Sequence, residues 1–147
     1  MRIADVLASK GRAVASLFAE ARVRDALALF AERHIGAVVI DDRWQKLQGL
    51  FTERDLVRVL AREGAGALDH PLGQVMTRAI ITCHPDDPIE SVLAVMTANR
   101  VRHVPVLEHD RLAGLVSLGD LVKYRLDEKA LEADVLRDIT RMHVTSG

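Results

Sequence analysis

Apolar residues along this chain recur at two spacings, and the order of the spacings is itself repeated. Val23, Ala26, Leu27 and Phe30 fall at i, i+3, i+4 and i+7, as do Ile89, Val92, Leu93 and Met96. Each set makes one apolar face of an amphipathic helix. Behind each helix stand two short apolar runs, residues 37–40 and 47–51 in the first half and 103–107 and 111–116 in the second. Such runs joined by a polar turn read as β-hairpins. Ahead of each helix the spacing predicts a short helical segment and then a β-leaning run: 3–8 and 13–17, answered by 72–76 and 79–83. Pro71 suits the first position of its helical turn, and His84-Pro85-Asp86-Asp87-Pro88 predicts a turn with Asp87 as N-cap and Pro88 at N1. Ala21-Arg22 offers the first long helix no such cap. A helix follows each hairpin, from Thr52 and from Ser117. The second runs on over 121–142 with a broken apolar stripe of Leu126, Leu131, Val135, Leu136 and Ile139, which suits either an oligomer contact or a helix folded back on its own domain.

The repetition extends to individual residues. Gly49-Leu50-Phe51-Thr52-Glu53-Arg54-Asp55-Leu56-Val57 returns as Gly114-Leu115-Val116-Ser117-Leu118-Gly119-Asp120-Leu121-Val122. Both read Gly, apolar, apolar, hydroxyl, two variable residues, Asp, apolar, apolar. The one-residue difference in length between the copies falls in the hairpin turn, so the unit is duplicated. The expected fold is α/β (α+β in its segregation): two pseudo-symmetric β-α-β-β-α repeats, residues 1–66 and 67–126, with a helical extension over 127–147. Residues 64–67 look like a short linker. Repeats this small have thin cores and should pack on each other, with any binding site at their seam.

Composition narrows the classes. A formal net charge of −1 over 147 residues excludes the basic excess of a nucleic-acid-binding surface. No apolar run is long enough to span a bilayer. A single cysteine, Cys83, and no signal-peptide h-region make the cytoplasm the default, with Cys83 a small buried apolar residue. No metal site is expected, because the histidines are scattered and a His-x-Glu or Cys-x-x-Cys spacing is absent. A Ser117/His103/Asp hydrolase lacks a nucleophile elbow, so the chain reads as no enzyme. Trp44 is expected to pack on its own hairpin and Arg54 to be a solvated charge.

The hydroxyl-x-x-Asp pattern resembles a capping box, which would make Thr52/Asp55 and Ser117/Asp120 purely structural. Its recurrence directly after a strand points further, since a helix N-terminus after a strand is a ready anion site. Asp is also shorter than the usual Glu and should reach back less well, freeing its carboxylate. Two carboxylate oxygens can accept both hydroxyl protons of a ribose diol. Ribose on Asp, with phosphate near the hydroxyl and the helix N-terminus, describes a nucleotide site.

Ile35-Gly36-Ala37-Val38-Val39-Ile40, Arg100-Val101-Arg102-His103-Val104-Pro105-Val106 and the two Gly-to-Asp stretches together resemble a stand-alone CBS domain pair, or Bateman module. The resemblance covers nearly the whole chain. It implies clefts between the repeats that bind an adenosine-containing ligand: AMP, ADP, ATP, S-adenosylmethionine or NAD(H), as a regulatory ligand with no required cofactor. It assigns ribose to Asp55 and Asp120 with Thr52 and Ser117 beside them, phosphate to Arg102 and His103, and adenine to the run after Met76, here Thr77 to Ile81 and including Ile80. Val104 and Pro105 follow in the same motif. The expected mechanism ties Asp120, Ser117 and His103 to the Thr77 run. The resemblance also implies a homodimer and a further protein partner. Gly36, Ala37 and Val39 stand where the second repeat has Arg102, His103 and Pro105, so the two clefts cannot be equivalent. The alternative is a ligand-free dimeric scaffold acting through its C-terminal helix.

Overall fold

A computed structural model describes residues 1–141, with side chains through residue 137. The element order is α1 (Ile3–Lys10), β1 (Ser16–Leu17), α2 (Val23–Arg33), β2 (Ala37–Asp41), β3 (Leu47–Thr52), α3 (Glu53–Glu63), α4 (Leu72–Val75), α5 (Ile89–Asn99), β4 (His103–Glu108), β5 (Arg111–Ser117) and α6 (Leu118–Arg141). One sheet runs β1-β2-β3, with β1 parallel to β2 and β2 antiparallel to β3; the other is the antiparallel pair β4-β5. Each hairpin carries an irregularity at the matching place, between Ile40 and Asp41 and between Val106 and Leu107. The duplication therefore reaches the hydrogen-bond register.

The β-leaning run at 79–83 does not form a strand. Thr77 exchanges two backbone hydrogen bonds with Leu50 of the first repeat, both 2.9 Å. Cys83 instead bonds to Pro105 (3.0 Å) and Leu107 (2.9 Å) of the second. With its ends claimed by different hairpins, the run cannot extend along either. Only the Cys83–Val106 bridge remains as the counterpart of β1. Two helix starts also differ from expectation. Pro71 and Pro88 are the N-caps of α4 and α5, held extended at ψ 141° and 143°. Asp87 serves the turn ahead, its carboxylate accepting the His84 amide at 2.8 Å. At the start of α2 the Arg22 amide donates to the Asp25 carboxylate at 2.8 Å, half of a capping box whose N-cap side chain contributes nothing.

The two short helices are exchanged between the cores. Ile3, Val6 and Leu7 of α1 pack with Ile89, Val92, Met96, Val104, Val116 and Leu121 of the second repeat. Leu72 and Met76, around α4, pack with Val23, Phe30, Val38, Ile40 and Phe51 of the first. Gly49 and Gly114 admit these crossing segments: a Cβ at Gly49 would lie 2.4 Å from Met76 Sδ, and one at Gly114 2.7 Å from Leu7 Cδ2. The boundaries at 66 and 126 therefore divide the sequence repeats but not the packing units. A third cluster of Ala37, Val39 and Leu50, with Val14, Ile80, Leu112 and Leu115 against it, closes the seam.

Residues 64–67 are not a loose linker. They belong to a 3-10 turn, Gly64–Asp69, that buries Ala67 completely. Trp44 does not pack on its hairpin; it is 64% exposed, with the Arg43 guanidinium 5.4 Å from its ring centroid. The turn is held instead by the Asp42 carboxylate, which accepts the amides of Trp44 and Lys46. α6 docks through buried Leu121 and an Arg125–Glu90 ion pair, and beyond them Leu126, Leu131 and Val135 are exposed. Leu136 is exposed as well, and the side chain of Ile139 lies outside the described residues. The stripe does not fold back on this domain at those three exposed positions.

Candidate site at the seam between the repeats

The seam opens into a cleft of about 270 Å³ beside the N-terminus of α6. Its walls come from the segment that follows α1 (Ala13, Val14, Ala15), the α2–β2 connection (His34, Ile35, Gly36), and the β4 and β5 ends at His103, Leu115 and Ser117. Lys10, Ala37 and Asp120 complete it.

Asp120 is placed by the strand-to-helix junction. Its Oδ2 accepts the Ser117 amide at 2.9 Å, and its own amide donates to Ser117 Oγ at 3.0 Å, so the capping box is complete. Asp does reach back, contrary to the expectation from its length. Oδ2 also accepts Lys10 Nζ at 2.5 Å, and the same ammonium donates to the Leu115 carbonyl at 2.8 Å. Among the described residues the hydrogen bonds that hold the Asp120 carboxylate all run to Oδ2, and the residue lines the cleft. Burial raises the Asp120 pKa, but the Lys10 ammonium and the Ser117 amide outweigh it and hold the carboxyl below its ordinary range. His103 pairs with Ser117 across β4 and β5. Burial lowers its pKa, against the opposing pull of Asp120 and Glu53. Burial thus favours the neutral imidazole.

The first repeat treats the same motif differently. Asp55 Oδ2 accepts the Thr52 amide (3.0 Å) and the Thr52 hydroxyl (3.2 Å), and Oδ1 accepts the Thr77 hydroxyl (3.0 Å). The Asp55 side chain is 8% exposed against 28% for Asp120. Both of its oxygens are engaged inside the protein.

The predicted residues thus separate into two groups. Ser117, Asp120 and His103 come together in the cleft. Thr52, Asp55 and Thr77 come together elsewhere, so Thr77 does not face Asp120; residues 13–15 take that place. Ile80 lies in the apolar seam cluster. Val104 is buried in the core of the second repeat and Pro105 is buried in β4, its carbonyl bound to Cys83. Arg102 is exposed; its carbonyl accepts the first amide of α6 at 2.8 Å, and its charge adds to the lowering of the His103 pKa. Arg54 is exposed as expected, though it also reaches the Arg100 carbonyl at 3.4 Å. Cys83 is buried, its thiol pushed up to about 12 chiefly by that burial. Lys10, His34 and Gly36 are cleft residues that sequence reasoning missed. Lys10 was detectable: extending the repeat alignment back through the short helices sets this lysine against Met76, a charge where the other copy has a core residue.

The comparisons agree with this architecture. The family model described as CBS domain matches twice, at residues 4–62 and 72–127. The mitochondrial CBS domain-containing protein CBSX3 of Arabidopsis thaliana is 32% identical over 129 residues, which is 82% of this chain but only 63% of that protein's length. The crystal structure of the CBS-domain-containing protein ATU1752 from Agrobacterium tumefaciens superposes with a TM-score of 0.82 at 38% identity, covering 85% of this chain and 99% of that one. The CBS domain protein PAE2072 from Pyrobaculum aerophilum, solved with AMP, superposes at 0.72 with 25% identity, covering 82% and 89%. Among the described residues no helix is long and apolar enough to cross a membrane. Two matches to one family model, laid end to end over a chain whose two halves share register and motif, place this protein in the CBS domain family as a tandem pair.

Proposed function

We propose that this chain is a non-catalytic regulatory module whose Asp120 cleft binds an adenosine-containing ligand. One observation carries the reading: of two equivalent carboxylates, Asp55 has both oxygens hydrogen-bonded within the protein, whereas Asp120 lines the seam cleft and is held there through Oδ2. A ribose diol supplies two donors to a carboxylate. The N-terminus of α6 and Ser117 then lie where a 5′ substituent can reach, and His103 lines the same wall. A cleft of about 270 Å³ is near the lower bound of roughly 300 Å³ for small-molecule sites. The PAE2072 complex with AMP supports the ligand class. In this reading Thr52, Asp55 and Thr77 serve the fold.

The ligand acts by linkage. It bridges residues 10–15, which belong to the first repeat by sequence, and the α6 N-terminus of the second. It shifts the arrangement of the repeats only by its difference in affinity between arrangements. At a hundredfold excess over Kd the stabilisation is about 2.7 kcal/mol, enough to alter a homodimer or partner interface. A single buried cysteine suits a reducing compartment, the cytoplasm by default.

The test is a thermal shift of wild type and Asp120→Ala against AMP, ADP, ATP, S-adenosylmethionine, NAD and NADH. A rise of several degrees with one ligand, lost in the variant, is expected; an equal rise in both would refute the site. A second reading, a scaffold acting through α6, is favoured by the exposed Leu126, Leu131 and Val135. It predicts that truncation after Tyr124 abolishes self-association or partner capture while no nucleotide changes the melting temperature.

A further inference from the structure

Lys10 is the last residue of α1, where a lysine commonly faces the helix's own terminal carbonyls. Here its ammonium leaves α1 and binds the Leu115 carbonyl and Asp120 Oδ2 in the second repeat. Oδ2 therefore already has two donors, the Ser117 amide and Lys10, which fill its two lone pairs. A ribose diol that uses both oxygens of Asp120 must displace one of them. The Ser117 amide is fixed at the end of β5 and in the capping box, whereas Lys10 is a flexible four-carbon arm. Lys10 is the donor that yields. Its bond to the Leu115 carbonyl keeps the released ammonium at the cleft wall.

The surroundings give that charge a role. Among the described residues that line the cleft, Lys10 is the only lysine or arginine. The histidines there are His34 and His103, and the carboxylate of Glu53 lies over Gly36, beside His103. A ligand bearing an anionic group meets Asp120 and Glu53 as opposing charges and Lys10 as the compensating one.

Resting on the adenosine-site reading, we propose that Lys10 sets the ligand charge this cleft accepts: it competes with a ribose diol for Asp120 and, once displaced, holds an anionic 5′ substituent. The cleft is then selective for adenosine phosphates over the uncharged nucleoside. Selection has two parts, a penalty on every diol and a reward that only a phosphate collects.

The experiment is calorimetric titration of AMP and of adenosine into wild type, Lys10→Met and Lys10→Arg, with circular dichroism to check folding. Methionine is the residue at the matching place in the other repeat. Wild type should prefer AMP by about tenfold or more, the scale of one charge-assisted hydrogen bond. Lys10→Met should bind adenosine more tightly than wild type and AMP more weakly, collapsing the preference, while Lys10→Arg keeps most of it. An unchanged AMP-to-adenosine ratio in folded Lys10→Met overturns the role of Lys10 and leaves the adenosine site standing. Binding of neither compound to wild type or to either variant overturns both.

Discussion

At the end of β3 the chain closes over its carboxylate, and at the equivalent end of β5 it does not. Both junctions use the same hydroxyl-x-x-Asp box, and both first helical amides bond back to the residue just ahead of the hairpin, Glu53 to Gly36 and Leu118 to Arg102. The difference arises in the segment that crosses from the other repeat. Across the first junction Thr77 pairs with Leu50 through two backbone hydrogen bonds and drops its hydroxyl onto Asp55. Across the second, the matching residue is Gly11 at φ +95°, a conformation that threonine rarely adopts. The backbone turns away there, and Leu115, the counterpart of Leu50, gives its carbonyl to the Lys10 ammonium instead. A duplicated motif thus yields one carboxylate closed into the fold and one at the wall of a cleft, according to what lies across the seam.

The sharpest way to break this comparison is paired substitution of the two carboxylates. Asp120→Ala should weaken AMP binding by at least about a hundredfold, the scale of losing a charged hydrogen-bonding group, while Asp55→Ala leaves Kd within about threefold. Calorimetry decides it, and equal losses would erase the distinction. Stability should show the reverse order. Asp55→Ala orphans the Thr52 amide and the Thr77 hydroxyl and should cost about 2 kcal/mol, against under about 1 kcal/mol for the more exposed Asp120→Ala. Urea unfolding without ligand measures both.

The glycines extend the contrast. A methyl at Gly49 meets Met76 at 2.4 Å and also the Thr77 carbonyl at 3.0 Å, whereas the three atoms nearest one at Gly114 all belong to the Leu7 side chain. Gly49→Ala should therefore cost about 2–3 kcal/mol and Gly114→Ala about 1 kcal/mol, within the range for overpacking. Similar costs would mean that backbone and side-chain obstacles yield alike.

The smallest expected effect is a pH dependence confined to the second repeat. His103 is held below its ordinary pKa by burial, so the unfolded chain binds its proton more readily than the folded one. Its contribution is complete above about pH 6.5 and is lost as pH falls from there through the folded value. Melting temperature should fall less between pH 7 and 5.5 in His103→Asn than in wild type. A steeper fall in the variant would reverse the sign.

The long helices, both hairpins and the capping boxes were legible in the sequence because local periodicity and turn chemistry determine them. The exchange of α1 and α4 was not, since an apolar stripe on a short helix states that it must be buried and not against which core. From that one blind spot came the pairing of Thr77 with the wrong carboxylate and the omission of Lys10. Val104 and Pro105 read as site residues by sitting next to His103, yet alternation along β4 turns Val104 to the opposite face, into the core. The prolines shifted two caps by a single residue, which lies within the ordinary variation of helix ends.

Crystals of the chain with AMP would test the inequality of the two carboxylates most directly. The account predicts one nucleotide per chain in the Asp120 cleft, its ribose hydroxyls on both Asp120 oxygens and Lys10 moved off Oδ2, with the Asp55–Thr77 hydrogen bond unbroken. A nucleotide held by Asp55, with none against Asp120, would contradict it.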